Sequence, residues 1–329
     1  MGLEMTIRIP YFQKHFKMKN KMMVRGLLTL SIICIVSCKD EPKAEKKVIN
    51  TIIETKGSSE CEPHISTNKR NNLNISILLD LSDRIDEPQQ QNNDSLYILS
   101  LAKSFNDHVK KKKLGLLYDK MEVFFEPAPS DPTINSLANQ LKVSYVKGVS
   151  KEEYIPKTLE RYASLPTQIY ELARSAAIGK DYPGSDVWNF FKYQIKDYCI
   201  EDCRRNILVI LTDGYMYHDK SIMKENNRTS YLTPSLLKGL NLNQPDWKNE
   251  MEQKKLGFIP ATKNLEDLEV LVLGIQSNND ANPYAYDIIH AYWENWLVEM
   301  GVNKSNLKIK NADIPSNIEK VIVDFIQKK

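Results

Sequence analysis

Three short segments carry the oxygen-bearing side chains from which a site could be built. They are Asp80-Leu81-Ser82-Asp83-Arg84, Gly184-Ser185-Asp186 and Thr212-Asp213-Gly214. Carboxylates and hydroxyls are hard donors, and they suit Mg²⁺ or Mn²⁺ better than zinc or copper. The same acids have a plainer use, capping strand ends and helix starts. A third use is acid chemistry in a hydrolase. That reading lacks support, because the chain has no Gly-x-Ser-x-Gly elbow, no phosphate loop, no HExxH and no paired CxxC. The expectation is therefore a protein that binds rather than catalyses.

These segments need a scaffold that brings distant residues to one edge. Leu73–Leu81 and Ile207–Leu211 are near-continuous apolar runs of strand length, and Leu268–Ile275 is a third. Such runs suit strands buried on both faces. Met121–Phe125 reads as a further strand and Val143–Val146 as an edge strand antiparallel to it, with Lys308–Lys310 as a last strand. Helical periodicity marks Asp94–Lys113, Asp186–Tyr198 (with Ser185 or Asp186 as N-cap), Tyr284–Met300 and Pro315–Gln327. Tyr154–Ile178 reads as helix in two pieces, broken at Pro166. Strands alternating with helices predict an α/β fold: a doubly wound, mostly parallel sheet with helices on both faces and one antiparallel edge strand.

A polar insertion at about 215–264, with turns near Pro234, Pro245 and Pro260, leaves the end of a central strand. Open α/β sheets place their ligands at that end, so the insertion is expected to cover or shape a site. Tyr215, Met216, Tyr217 and His218 follow the Thr-Asp-Gly turn, either as a contact surface or packed beneath the insertion. Tyr292, Trp293, Trp296 and Leu297 have helical spacing and are expected in the core.

An Asp-x-Ser after one buried strand, paired with Thr-Asp-Gly after another, resembles the von Willebrand factor A domain over residues 73–329. In that family a DxSxS loop, a threonine from a second loop and an aspartate at a TDG-like turn form a metal-ion-dependent adhesion site. The resemblance implies Asp80 bound through water, Ser82 bound directly, Ser185 in the threonine's place, and Asp213 as outer or water-mediated ligand. It implies Mg²⁺ or Mn²⁺ as cofactor and an acidic group on the partner. Arg84 departs from the pattern, since it stands where a ligand serine is expected and carries a permanent positive charge. Arg84 either swings away, leaving the site one ligand short, or pairs with an acid and replaces the metal.

The N-terminus reads as an address. Lys19, Lys21 and Arg25 precede an apolar run, Gly26–Val36, too short to span a bilayer. Ile35-Val36-Ser37-Cys38 follows and is similar to the lipobox of bacterial lipoproteins. That resemblance implies a signal peptide at 1–37, acylation of Cys38 and anchoring in the envelope through lipid. Met18 is an alternative start to Met1. Lys39-Asp40-Glu41 resembles a surface-export signal, so the expected place is the outer membrane, at the cell surface. Residues 38–72 are rich in Lys, Glu, Asn and Ser and read as a tether.

Net charge over 329 residues is +3, but residues 1–37 carry +5 and the remainder −2. The body has no basic excess for phosphates, so no nucleic acid is expected as partner. Five cysteines are too few for a disulfide scaffold. Cys199 and Cys203 are candidates to bridge each other or Cys61. The expected function is a membrane-anchored binding module for a protein or glycan partner. The alternative is a structural subunit of an envelope assembly with a metal-free site.

Overall fold

The structure is a computed structural model that describes residues 61, 65, 69–82, 88–177, 185–277 and 282–328. The signal segment 1–37, Cys38 and most of the tether lie outside the described residues. So do Asp83, Arg84 and Gly184. No described helix is long and apolar enough to cross a membrane.

In chain order the elements are β1 (Leu73–Leu79), α1 (Pro88–Lys111), β2 (Tyr118–Phe124), α2 (Pro132–Gln140), β3 (Val143–Val146) and α3 (Lys151–Ala177). There follow α4 (Val187–Tyr193), α5 (Ile195–Cys199) and β4 (Arg205–Leu211). The insertion holds β5 (Lys224–Glu225), β6 (Arg228–Thr229), α6 (Pro234–Gly239), α7 (Trp247–Gln253) and β7 (Gly257–Phe258). Then come β8 (Leu268–Ile275), α8 (Ala285–Glu299), β9 (Leu307–Asn311) and α9 (Pro315–Gln327).

The result is a mixed α/β protein. Its main sheet has six strands in the order β3-β2-β1-β4-β8-β9. All neighbours pair parallel except β3 against β2. Every residue of β1, β4 and β8 is buried, because apolar cores cover both faces. One core joins Leu78, Leu208, Ile210 and Val272 to α4, α8 and the insertion. The other joins Ile77, Val209, Leu211 and Leu273 to α1, α3 and α9. The edge strand β3 alternates buried and exposed residues, as a half-covered strand must.

The helix at 151–177 corrects the sequence reading: α3 is one continuous helix with Pro156 and Pro166 inside it. The apolar stripe Tyr162, Leu165, Ile169 and Tyr170 runs straight through Pro166. Its burial offsets a proline cost of roughly 3 kcal/mol. The Tyr170 hydroxyl donates to Asp94 at 2.6 Å and Tyr162 donates to the Leu141 carbonyl at 2.5 Å, so both halves are anchored. The helix expected at 186–198 is instead interrupted at Gln194, giving α4 and α5. The α2 helix was not expected, and α1 starts six residues before Asp94. The insertion forms a small three-stranded sheet with α6 and α7. Trp188 and Trp296 both donate to the Ile259 carbonyl, at 2.8 and 2.9 Å, and bind the insertion to the body. Tyr292, Trp293, Trp296 and Leu297 are core residues, as their spacing implied.

Of the three candidate cysteines, Cys61 and Cys203 form the disulfide, with Cα atoms 5.8 Å apart. That is one of the pairings the spacing left open, and Cys199 is the cysteine left out. Cys199 ends α5 facing the sheet, fully buried, and burial pushes its thiol up to about 12.

Strand starts carry paired charge. Asp119 is fully buried and accepts from Lys112 Nζ at 2.6 Å and from the Leu73 N–H at 2.8 Å. Lys112 spends its other two donors on the Asn71 carbonyl at 2.7 Å and Asn72 Oδ1 at 3.0 Å. Nearby, Arg205 grips Glu269 through two bonds of 2.8 and 2.6 Å. It also donates to the Phe325 and Ile326 carbonyls, securing the end of α9. Burial alone would raise the Asp119 carboxyl; His108, Lys112 and the Leu73 N–H outweigh it and hold it below its ordinary value. Its stabilising contribution is therefore complete at neutral pH and is lost as pH falls below about 4. Lys112→Met leaves the acid buried without its ammonium and is expected to cost about 3–5 kcal/mol in urea unfolding at pH 7. A loss under about 1 kcal/mol would show that the pair does not hold the strand starts together.

Candidate functional site

The parallel register sets Leu79 beside Leu211. One residue further on, Asp80 and Thr212 therefore emerge side by side at the C-terminal ends of β1 and β4. The Asp80 N–H continues the ladder to the Leu211 carbonyl at 3.1 Å, and the Thr212 N–H reaches Leu273 at 3.1 Å. Both residues are thus fixed by the sheet itself.

Asp80 is 2% exposed. Its Oδ1 accepts the Ser82 N–H at 2.9 Å, and its Oδ2 accepts the Thr212 hydroxyl at 2.9 Å. Among the described residues no lysine, arginine or histidine pairs with it. Each carboxylate oxygen keeps a further lone pair. The Thr212 oxygen in turn accepts the Gly214 N–H at 3.1 Å, and Asp213 Oδ1 accepts the Tyr215 N–H at 2.9 Å. The turn requires glycine at 214, where φ is +95° and an added Cβ would lie 2.5 Å from the Ile289 side chain. The Gly214 carbonyl is held by the Trp293 indole at 2.9 Å.

The structure thus brings Asp80, Ser82 and the Thr212-Asp213 turn together, all largely buried. Ser185, also buried, pairs its backbone with Tyr217, four residues beyond Asp213. Arg84 lies outside the described residues. The donor set is oxygen only, with two carboxylates and two serine hydroxyls, which fits a hard divalent cation. Among the described residues no three His, Cys, Asp or Glu side chains gather as a metal cluster.

Two features escaped the sequence reading. Thr212 is one; its role follows from the β1–β4 register, which strand lengths alone could have suggested. The other is a second contact of Asp186, one of the two expected N-caps, which caps α4 by accepting the Asn189 N–H at 3.1 Å. Its second oxygen takes the Ser221 hydroxyl and lies 3.2 Å from His218 Nδ1. Serine, histidine and aspartate meet here, but the serine bonds to the acid rather than to the imidazole. That order does not activate a nucleophile. After the turn, Tyr215 and Met216 are buried, whereas Tyr217 is 40% exposed and stacks edge-on against Tyr231.

No family model and no curated protein matches the chain. Among solved structures, proximal thread matrix protein 1 from the mussel byssus shares 8% identity over 78% of this chain and 46% of that one, with a TM-score of 0.34. The pilus adhesin SpaC from Lactobacillus rhamnosus GG, in its open conformation, shares 12% over 78% and 30%, with a TM-score of 0.36. A second form of that adhesin shares 12% over 80% and 30%, with a TM-score of 0.39. The chain spans less than half the length of each.

Thr212→Val removes the one hydroxyl that, among the described residues, joins Asp80 to the turn, and leaves a buried carboxylate oxygen short of a donor. It is expected to lower stability by about 1–3 kcal/mol, read by urea unfolding, with Thr212→Ser restoring most of the loss. Equal stability of Thr212→Val and the native protein would remove the bond from the account.

Proposed function

We propose that this chain is a membrane-anchored, non-enzymatic binding module with a von Willebrand A-like domain. It engages a protein or glycan partner at the C-terminal ends of its central strands. The supporting observation is that Asp80 has no cationic partner among the described residues. At the strand starts the buried acids Asp119 and Glu269 each have a basic partner. Asp80 is as deeply buried, yet its partners among the described residues are neutral. A carboxylate held this way favours a cation. Asp80, Ser82, Ser185 and Asp213 are the residues that would hold Mg²⁺ or Mn²⁺. The ion, when bound, supplies an electrophilic centre for an acidic group on the partner. The doubly wound reading is supported by the strand order, which runs 3-2-1 and then 4 and onward, and by cores on both faces.

The protein's own residues supply the rest. The Ser82 N–H and the Thr212 hydroxyl orient Asp80, and Gly214 lets the turn approach α8 closely. Tyr217, Ile222 and Met223 are exposed on the insertion and offer an apolar contact surface beside Ser185. Acylation at Cys38 would hold the protein at the bacterial envelope.

One observation favours a second reading. Both oxygens of Asp80 already accept protein hydrogen bonds, which suits a metal-free site in an envelope assembly, with Arg84 in the ion's place. Calorimetric titration of the full-length protein with Mg²⁺ and Mn²⁺ separates the two. The metal reading predicts saturable heats that disappear in Asp213→Ala and in Asp80→Asn. Absent heats in the native protein, appearing only in Arg84→Ser, would sink the metal reading in favour of the second.

A further inference from the structure

A second concavity opens at the same edge of the sheet. It is a cleft of about 660 Å³ between the start of α1 and the ends of β8 and β9. Gln276 ties it to the site already described, since its N–H donates to the Asp213 carbonyl at 2.9 Å. The chemistry of its lining is unusual for a surface this charged. Five side-chain amides line it: Gln89, Gln90, Asn93, Gln276 and Asn311. No lysine, arginine or histidine does so among the described residues.

We propose that this cleft binds a neutral glycan. An amide offers one acceptor and two donors without charge, and so does best against a ligand whose groups both donate and accept. Sugar hydroxyls have that property; phosphates, sulfates and carboxylates do not, and no basic side chain among the described residues lines the cleft to attract them. Two of the amides are nearly buried and make one described hydrogen bond each. Gln90 is 6% exposed and donates to Asp94 at 2.7 Å, while its Oε1 has no partner among the described residues. Asn93 is 8% exposed and accepts from Gln89 at 3.2 Å, while its Nδ2 donates to nothing described. An amide group with no described partner at the wall of a cleft is available to a ligand hydroxyl.

The apolar part of the lining fits the same class. Tyr286 is half-buried, and the backbone of Asn311 hydrogen-bonds to its hydroxyl, which fixes the ring. An aromatic face at the wall of an amide-lined cleft can meet the C–H face of a sugar ring. Ile314, 60% exposed at the mouth, adds apolar contact. The lone acid, Asp313, already accepts the Ile314 N–H at 2.7 Å and Asn317 Nδ2 at 3.0 Å, so it is oriented as a further acceptor for hydroxyls.

This inference rests on the reading of the strand ends as a binding edge and names the partner's chemistry. The test is saturation-transfer NMR on the full-length protein with neutral disaccharides (cellobiose, maltose, lactose, diacetylchitobiose), a sulfated disaccharide and a capped tetrapeptide. The expected result is saturable binding of at least one neutral disaccharide, weakened tenfold or more in Gln276→Ala/Asn311→Ala. These two side chains are exposed and make no described hydrogen bonds, so the fold should survive their loss. Chelator should leave the sugar signal unchanged, which separates the cleft from the metal site. Binding of only the sulfated sugar or only the peptide, no saturable binding, or binding indifferent to the double substitution would each overturn the proposal.

Discussion

The Asp80 carboxylate, buried at the end of β1 and tethered to Thr212 at the end of β4, is the charge around which the site is organised. Its two oxygens accept from Ser82 and Thr212, one residue past the last paired positions of their strands. That arrangement requires β1 and β4 to run parallel in one fixed register. The register is secured in turn because both strands are buried on both faces, where a one-residue slip would turn every side chain to the wrong core. The fine geometry of the site is therefore a consequence of sheet packing.

Charge is distributed unevenly along the strands. Their centres are apolar, so polar and ionised groups collect at the two ends. At the starts, Lys112 neutralises Asp119 and Arg205 neutralises Glu269, and the C-terminal turn of α9 is drawn into the same network. The Cys61–Cys203 bridge lies at this pole, immediately before β4. At the ends of the strands, acids and amides outnumber cations among the described residues. The acids at the starts are paired with cations, whereas Asp80 at the ends has only neutral partners among the described residues.

Much of the sheet could be read from the sequence because its central strands carry continuous aliphatic runs, which only a two-sided core explains. The edge strand at Val143–Val146 and helix α8 were legible for a different reason, the periodicity of an element covered on one side. Local signals failed where tertiary packing overrode them. Pro166 reads as a break, yet α3 continues through it because Leu165, Ile169 and Tyr170 are buried on the same stripe. Cysteine pairing was open because spacing cannot say that Cys199 faces the sheet while Cys203 faces the incoming chain. Asp80, Ser82 and Asp213 were visible as motif residues. Thr212 was visible only as a letter beside one of them, since its role depends on the register with β1. The Asp186–His218–Ser221 contact was not legible at all, because it needs the insertion to fold back onto α4. Gln89, Gln90 and Asn93 read as polar helix residues; only α1 docking against β8 and β9 turns them into the wall of a cleft.

The most direct test of the central claim is a crystal structure grown with Mn²⁺, with anomalous difference density measured at the metal edge. The account predicts a peak bounded by the side-chain oxygens of Asp80, Ser82 and Asp213, absent from crystals of Asp213→Ala. An empty position, with the guanidinium of Arg84 lying against Asp80 instead, would contradict it.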